Sequence, residues 1–340
     1  MKLPTAVERR GLSAAMALPA TVQHLLSGGA VEIDGQTLAG DLQIMLRLQS
    51  LVGLANTETL PIDEGRIALR HHTDLTGGHQ PIGSVRDLDA GGRPARLYVP
   101  TDATATGPLV VFFHGGGFMH GDLESHDAAC RFLAEQSGVR VLAVDYRLGP
   151  EHQFPAAHDD AVASYGWAIE HPHELGTTID RIGVAGDSAG GNLAANVAIE
   201  AARRGWPCRV QLLIYPTTEA GRTTRSAELF ADGFYLTTAY MDLADRSYIG
   251  PGAEPHDPRL SLVYVDVPAG LAPALVRTAG FDPLRDEGEA YAEHLQEAGV
   301  TVELTRFPDQ IHGYFNICGV GRTSVAANVR TAEALRSAMR

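Results

Sequence analysis

From Leu109 to Arg306 the chain alternates short, almost continuously apolar runs with longer segments of helical periodicity. That alternation limits the architectures open to it. The runs Leu109–Phe113, Val139–Asp145, Arg181–Ala185, Val210–Tyr215, Ala274–Thr278 and Val300–Arg306 predict strands. Asp127–Gln136, Asp159–Ile169, Ala189–Arg203 and Glu287–Ala298 predict the helices between them. A strand apolar on both faces has to be covered on both faces, and helical crossovers leave neighbouring strands parallel. The expected class is therefore α/β, with a mostly parallel central sheet and helices on either side. At 340 residues and 44% hydrophobic content, the chain can build one large core with a smaller accessory layer.

The flanking regions read differently. Up to about Leu60 the pattern is helical, broken at Ser27-Gly28-Gly29 and Asp34-Gly35, with Leu38, Leu42, Met45, Leu46 and Leu48 on one apolar face. Arg9-Arg10 precedes an apolar stretch that is short, alanine-rich and stopped by Pro19, so it reads as an amphipathic segment rather than an export signal. Strand-like runs follow at Arg66–Arg70, Pro81–Val85 and Ala95–Val99, and the turns between them suggest antiparallel pairing. Between Pro216 and roughly Pro268 lies an insertion without a strong strand. It carries Phe230, Phe234, Tyr235, Leu236, Tyr240, Met241 and Tyr248, either as a lid over a site or as its own small core.

Within this frame, Gly186-Asp187-Ser188-Ala189-Gly190 sits between a predicted strand and a predicted helix. A serine on such a tight turn is pushed out at the sheet's edge, and Gly186 and Gly190 supply the small neighbours that the turn needs. Alone, the pentapeptide could be an ordinary turn with an exposed serine. The same turn puts the Ala189 N–H at a helix N-terminus, where it can donate to a developing oxyanion. Gly115-Gly116-Gly117 directly follows the strand Leu109–Phe113, and three glycines there let backbone N–H groups approach a ligand closely. Asp282, just past a later strand, is the candidate acid; Asp286 and Glu287 are rivals that read better as first-turn helix residues. His312, past the last strand, is the candidate base, completing the order Ser, Asp, His. Asp309 competes as the acid but lies too close in sequence to His312 to orient it from an opposing loop.

Together, His114-Gly115-Gly116-Gly117, Tyr146-Arg147-Leu148-Gly149-Pro150-Glu151, the serine turn, Asp282-Pro283-Leu284-Arg285-Asp286-Glu287-Gly288 and His312-Gly313 resemble the hormone-sensitive-lipase-like esterases of the α/β-hydrolase superfamily. The resemblance runs from about Leu109 to Tyr314. It implies an α/β-hydrolase fold with Ser188, Asp282 and His312 as the triad, and with the N–H groups of Gly116, Gly117 and Ala189 as the oxyanion hole. His114 and Tyr146–Glu151 would be scaffold. It also implies a helical cap made from residues 1–60 and an insertion at about 217–250, over a catalytic domain of residues 61–340. Gly149 stands where the family usually has alanine, and Tyr314 where phenylalanine is common. The expected activity is hydrolysis of short- to medium-chain carboxylic esters. A lactonase, amidase or deacetylase would use the same residues, and a non-catalytic receptor would be expected to lack a triad member.

Composition narrows the rest. A net charge of −14 disfavours nucleic-acid partners. Lys2 is the only lysine, which removes phosphate-loop, Schiff-base and Ser-x-x-Lys chemistry and leaves histidine as the base. Cys130, Cys208 and Cys318 are scattered and odd in number, as suits a reducing cytoplasm. No metal or cofactor is expected: His71-His72 and His171-Pro172-His173 read as solvated loop histidines without a zinc-binding helix. No apolar run reaches the length of a membrane span. The expected partners are a small-molecule ester and, through edge pairing of the strand Val300–Arg306, a second copy in a homodimer.

Overall fold

A computed structural model describes residues 4–51, 57–250, 254 and 256–340. Its centre is an eight-stranded sheet. The strands are β3 (Ser84–Asp89), β4 (Pro94–Val99), β5 (Leu109–Phe113), β6 (Arg140–Val144), β7 (Ile182–Asp187), β8 (Gln211–Ile214), β9 (Ala274–Phe281) and β10 (Val302–Ile311). A small hairpin of β1 (Glu32–Ile33) and β2 (Gln36–Thr37) turns at Asp34-Gly35 near the N-terminus. Across the main sheet the order is β10-β9-β8-β7-β5-β6-β4-β3. Every pairing from β10 to β6 is parallel, and β4 joins antiparallel to both β6 and β3.

The strands β5, β6, β7, β8 and β9 are buried along their whole length, as apolar residues on both faces require. One apolar layer lies under α6 (Ala156–Glu170), α7 (Ala189–Arg204) and α10 (Arg285–Glu297). The opposite layer lies under α5 (Asp127–Ser137) and α11 (Thr323–Ala338). A third cluster joins α1 (Thr5–Met16) and α3 (Gly40–Leu51) to the ends of β9 and β10 through Met16, Leu42, Met45, Phe281 and Ile311. The remaining helices are α2 (Ala20–Leu26), α4 (Ile62–Gly77), α8 (Arg225–Leu229) and α9 (Thr238–Tyr248).

Two expectations fail ahead of the parallel core. Arg66–Arg70 is not a strand but the middle of α4. Pro61 precedes that helix, Asp63 and Glu64 occupy its first turn, and its buried Gly65, Thr73 and Gly77 fall at multiples of four residues. Five residues read alone showed an alternation that sixteen do not. The strand expected at Pro81–Val85 instead begins at Ser84 and runs to Asp89, paired with β4. The histidine pair His71-His72 accordingly lies on α4, not in a loop. His171, at the end of α6, is exposed and stacks on Trp167.

The insertion holds α8 and α9 and, among the described residues, no strand; positions 251–253 and 255 lie outside them. Its aromatics divide between the two expected roles. Phe230 and Phe234 pack on Phe281, and Tyr248 stacks on Phe118 at 4.5 Å, whereas Tyr235 and Tyr240 border the main cavity.

Candidate active site

Ser188 links β7 to α7 with φ 55° and ψ −120°. L-residues rarely hold such a conformation unless their surroundings fix it. Here they do. The Ser188 N–H donates to Ile214 O at 2.9 Å, and its carbonyl accepts from Asn192 N at 3.1 Å and Thr217 N at 3.2 Å. A Cβ on Gly190 would collide with the Phe113 carbonyl, and one on Gly186 with the Gly190 carbonyl. Only glycine lets β5 and the turn approach this closely.

The residues expected far along the chain arrive at this turn. His312 follows β10, and its Nε2 lies 3.0 Å from Ser188 Oγ. His312 Nδ1 lies 2.8 Å from Oδ2 of Asp282, which follows β9 and is fully buried. The other carboxylate oxygen of Asp282 accepts from the Leu284 N–H at 2.8 Å. A hydroxyl, an imidazole and a buried carboxylate so arranged can pass the hydroxyl proton to the ring and stabilise the resulting imidazolium. The rivals are occupied elsewhere. Asp286 pairs with Arg285 and accepts from Ser226 N, and Asp309 accepts from Gln310.

Glu287 is buried, and one of its oxygens receives Thr218 N at 2.7 Å, Glu219 N at 3.1 Å and Thr217 Oγ1 at 3.3 Å. Burial pushes its carboxyl up to about 8 despite those N–H donors. It anchors the segment after β8, which carries the cavity-lining Thr217.

A cavity of about 480 Å³ opens above Ser188. Its floor includes Gly116, Gly117, Ser188, Ala189 and His312, so all three residues expected to supply oxyanion donors line it. Gly116 and Gly117 have φ of 120° and 62°, and Gly116 O receives His120 N at 2.8 Å. The opposite wall comes from α3, α4 and the segment from Asp232 to Asp245, including Leu46, Leu69, Leu236 and Met241. His72, expected in a solvated loop, also lines it.

Behind the floor lie Asp187, His126 and Tyr215, which the sequence did not single out, together with His114 and Tyr146, expected there as scaffold. Asp187 Oδ1 accepts from the Gly115 N–H at 2.8 Å and lies 3.3 Å from His126 Nε2, while Tyr215 donates its hydroxyl to Oδ2 at 3.3 Å. Burial works to raise the Asp187 pKa, but His126 and the Gly115 N–H outweigh it and hold the carboxyl below its ordinary value. The Tyr215 ring packs on His312 with centroids 4.4 Å apart. His114 stacks on Tyr146 at 4.3 Å, and Tyr146 donates to His114 O at 2.7 Å. Burial drives His114 down to about 4, so it sits neutral against the glycine loop. Asp187 was visible as the residue before Ser188, but its partners come from three separate segments.

Comparison with known proteins agrees with this geometry. The family model described as alpha/beta hydrolase fold matches residues 110–316. The chain belongs to the α/β-hydrolase family. Within it the hormone-sensitive-lipase-like branch is the right one. This α/β-hydrolase is 43% identical over 336 residues to the carboxylic ester hydrolase LipN of Mycobacterium tuberculosis, spanning 94% of this chain and 88% of that protein. It is 35% identical over 309 residues to the ethyl acetate hydrolase of Pseudomonas putida, spanning 88% and 97%. Among solved structures, an ester hydrolase from the metagenome of Lake Arreo, complexed with a bipyridine phosphonate derivative, superposes with a TM-score of 0.85 at 35% identity, covering 88% of this α/β-hydrolase and 98% of that chain.

Proposed function

We infer that this α/β-hydrolase is a serine-dependent carboxylic ester hydrolase acting on short- to medium-chain esters. The observation that carries the reading is the unbroken hydrogen-bond chain from Ser188 Oγ through His312 to buried Asp282, at the floor of a cavity bordered by Gly116, Gly117 and Ala189. Asp282 accepts the Nδ1 proton and so leaves His312 Nε2 as the acceptor facing the serine. As Oγ bonds to the ester carbonyl carbon, its proton passes to Nε2, and the carbonyl oxygen gains negative charge. The N–H groups of Gly116, Gly117 and Ala189 stabilise that charge, the last from the N-terminus of α7. The alcohol leaves with the proton from His312, and water then releases the acid from Ser188.

The cap comprises residues up to 60 and about 217–250, and α4, which supplies Leu69 and His72 to the same cavity, belongs with it in shaping the substrate. The apolar part of the wall, Leu46, Leu69, Leu236 and Met241, and the modest volume suit small acyl and alcohol groups. A cytoplasmic location accords with three cysteines that form no disulfide, two of them buried. Among the described residues, no helix is long and apolar enough to cross a membrane. Pairing of two copies along β10, the edge strand, would give the homodimer.

The test is turnover of purified enzyme on nitrophenyl esters of increasing acyl length, with a matched anilide. Acetyl to hexanoyl esters are expected to be cleaved fastest. A preference for the anilide, or for long-chain acyl groups, would overturn the substrate assignment.

A further inference from the structure

Beside His312 lies a second cavity, of about 20 Å³, that shares Gln49, His72, Tyr235, His312, Gly313 and Asn316 with the main one. This is room for a single water and for no organic group, since one water needs roughly 10–15 Å³ of such space and two to four polar partners. Thr73 and Thr76 add to its lining.

The lining has hydrogen-bonding capacity to spare. The side chains of Gln49 and His72, both partly buried, have no hydrogen-bond partner among the described residues. Thr73 Oγ1 directs its proton to Leu69 O and Arg70 O, each at 3.1 Å, which leaves its lone pairs to accept. Thr76 Oγ1 lies 3.0 Å from both His72 O and Asn316 O, again as donor. Burial, helped by the neighbouring His71, lowers the His72 pKa, so its neutral ring offers one donor and one acceptor.

We propose that this side cavity binds the water that hydrolyses the acyl-enzyme, held by Gln49, His72, Thr73 and Thr76 next to His312. The inference rests on the reading of Ser188 as the acylated nucleophile. An acyl group and its alcohol compete for the 480 Å³ cavity, whereas a water in the side cavity stays beside the base while they occupy it. In the step assigned to it, the water oxygen bonds to the acyl carbonyl carbon as its proton passes to His312 Nε2. The carbon–Oγ bond to Ser188 then breaks, Oγ takes that proton, and the carboxylic acid departs.

The experiment combines stopped-flow cleavage of p-nitrophenyl acetate with partition between water and added methanol, in wild type and in the double variant Gln49→Leu with His72→Leu. Loss of the polar walls should slow deacylation about tenfold, so that a nitrophenolate burst approaching one per active site appears. Methanol reaches the acyl group through the main cavity, so the ratio of methyl ester to acid should rise by about the same factor. An unchanged ratio, or slower turnover without a burst, overturns the water site. Should the double variant not fold, Thr73→Val keeps the side-chain volume and should shift the ratio in the same direction by about threefold; no shift overturns the proposal. Labelling wild type with a fluorophosphonate separates the two readings. Unlabelled Ser188 removes both, whereas labelled Ser188 with an unshifted ratio removes only the water site.

Discussion

The floor and the roof of the main cavity are held by different kinds of interaction. On the floor, the serine turn and the glycine loop are buried except at Ser188, Gly116 and Gly117, which are half-buried, and their backbone is fixed by hydrogen bonds and by glycines such as Gly116, Gly186 and Gly190 whose replacement would strike neighbouring carbonyls. Asp187 and Asp282, both buried, each accept a backbone N–H as well as facing a histidine. The roof shares the buried apolar cluster of Met45, Phe281 and Ile311, but its polar ties are partly exposed. Glu58 accepts from Thr237 at 2.7 Å, Arg222 pairs with Asp242 and Asp245, and Arg66 of α4 pairs with Glu151 at 2.8 Å while donating to Gly149 O and Met119 O. Exposed pairs are worth about 0–1 kcal/mol, whereas breaking a buried hydrogen-bonded charge costs several times that. The floor is therefore built to hold one geometry, whereas the roof's polar ties can be varied at little cost.

The contrast predicts unequal responses. The largest belongs to the floor: Asp282→Asn should cut kcat by about 10⁴-fold with the fold intact, because an amide no longer fixes the productive tautomer of His312. Steady-state kinetics with circular dichroism would check this, and a loss below about tenfold would break the comparison. The smallest belongs to the roof. Arg66, chiefly through its hydrogen bonds, holds the Glu151 carboxyl down at about 2. A depressed acid contributes stability above its unfolded value, near 4.5, and loses it as pH falls towards 2. With the Glu151 side chain half exposed, Glu151→Gln should lower stability at pH 7 by less than about 1 kcal/mol. Urea melts should show that difference vanishing as the pH falls from about 4.5 to 2, and a difference unchanged at low pH would show that the contact is not electrostatic.

The same division governs what the sequence discloses. β5 matches its expected bounds, and the other strands between Leu109 and Ile311 and the helices expected among them fall within a few residues of theirs, β10 apart, because burial on both sides leaves one apolar pattern. β10 runs five residues beyond Arg306, where a bulge at Phe307–Ile311 breaks the simple alternation before His312. Ser188, Asp282 and His312 could be singled out because strand ends, glycines and chain order mark them. Asp187 and Tyr215 could not, and Glu287 reads only as a rival acid or a first-turn helix residue, since the work of all three depends on partners brought together only by folding. α4 escapes the hydrophobic pattern because its buried face is made of Gly65, Thr73 and Gly77, small or polar residues that carry no hydrophobic signal. The break at Asp34-Gly35 in the expected helical pattern is the turn of the β1–β2 hairpin, whose two-residue strands lie below what periodicity can resolve.

The central claim is that Ser188 is the nucleophile. Reaction of the purified protein with a stoichiometric fluorophosphonate, followed by peptide mass spectrometry and an ester assay, tests it most directly. The geometry predicts one adduct per chain, on Ser188, with esterase activity lost in proportion to labelling. An adduct on another residue, or full ester cleavage by protein labelled at Ser188, would contradict it.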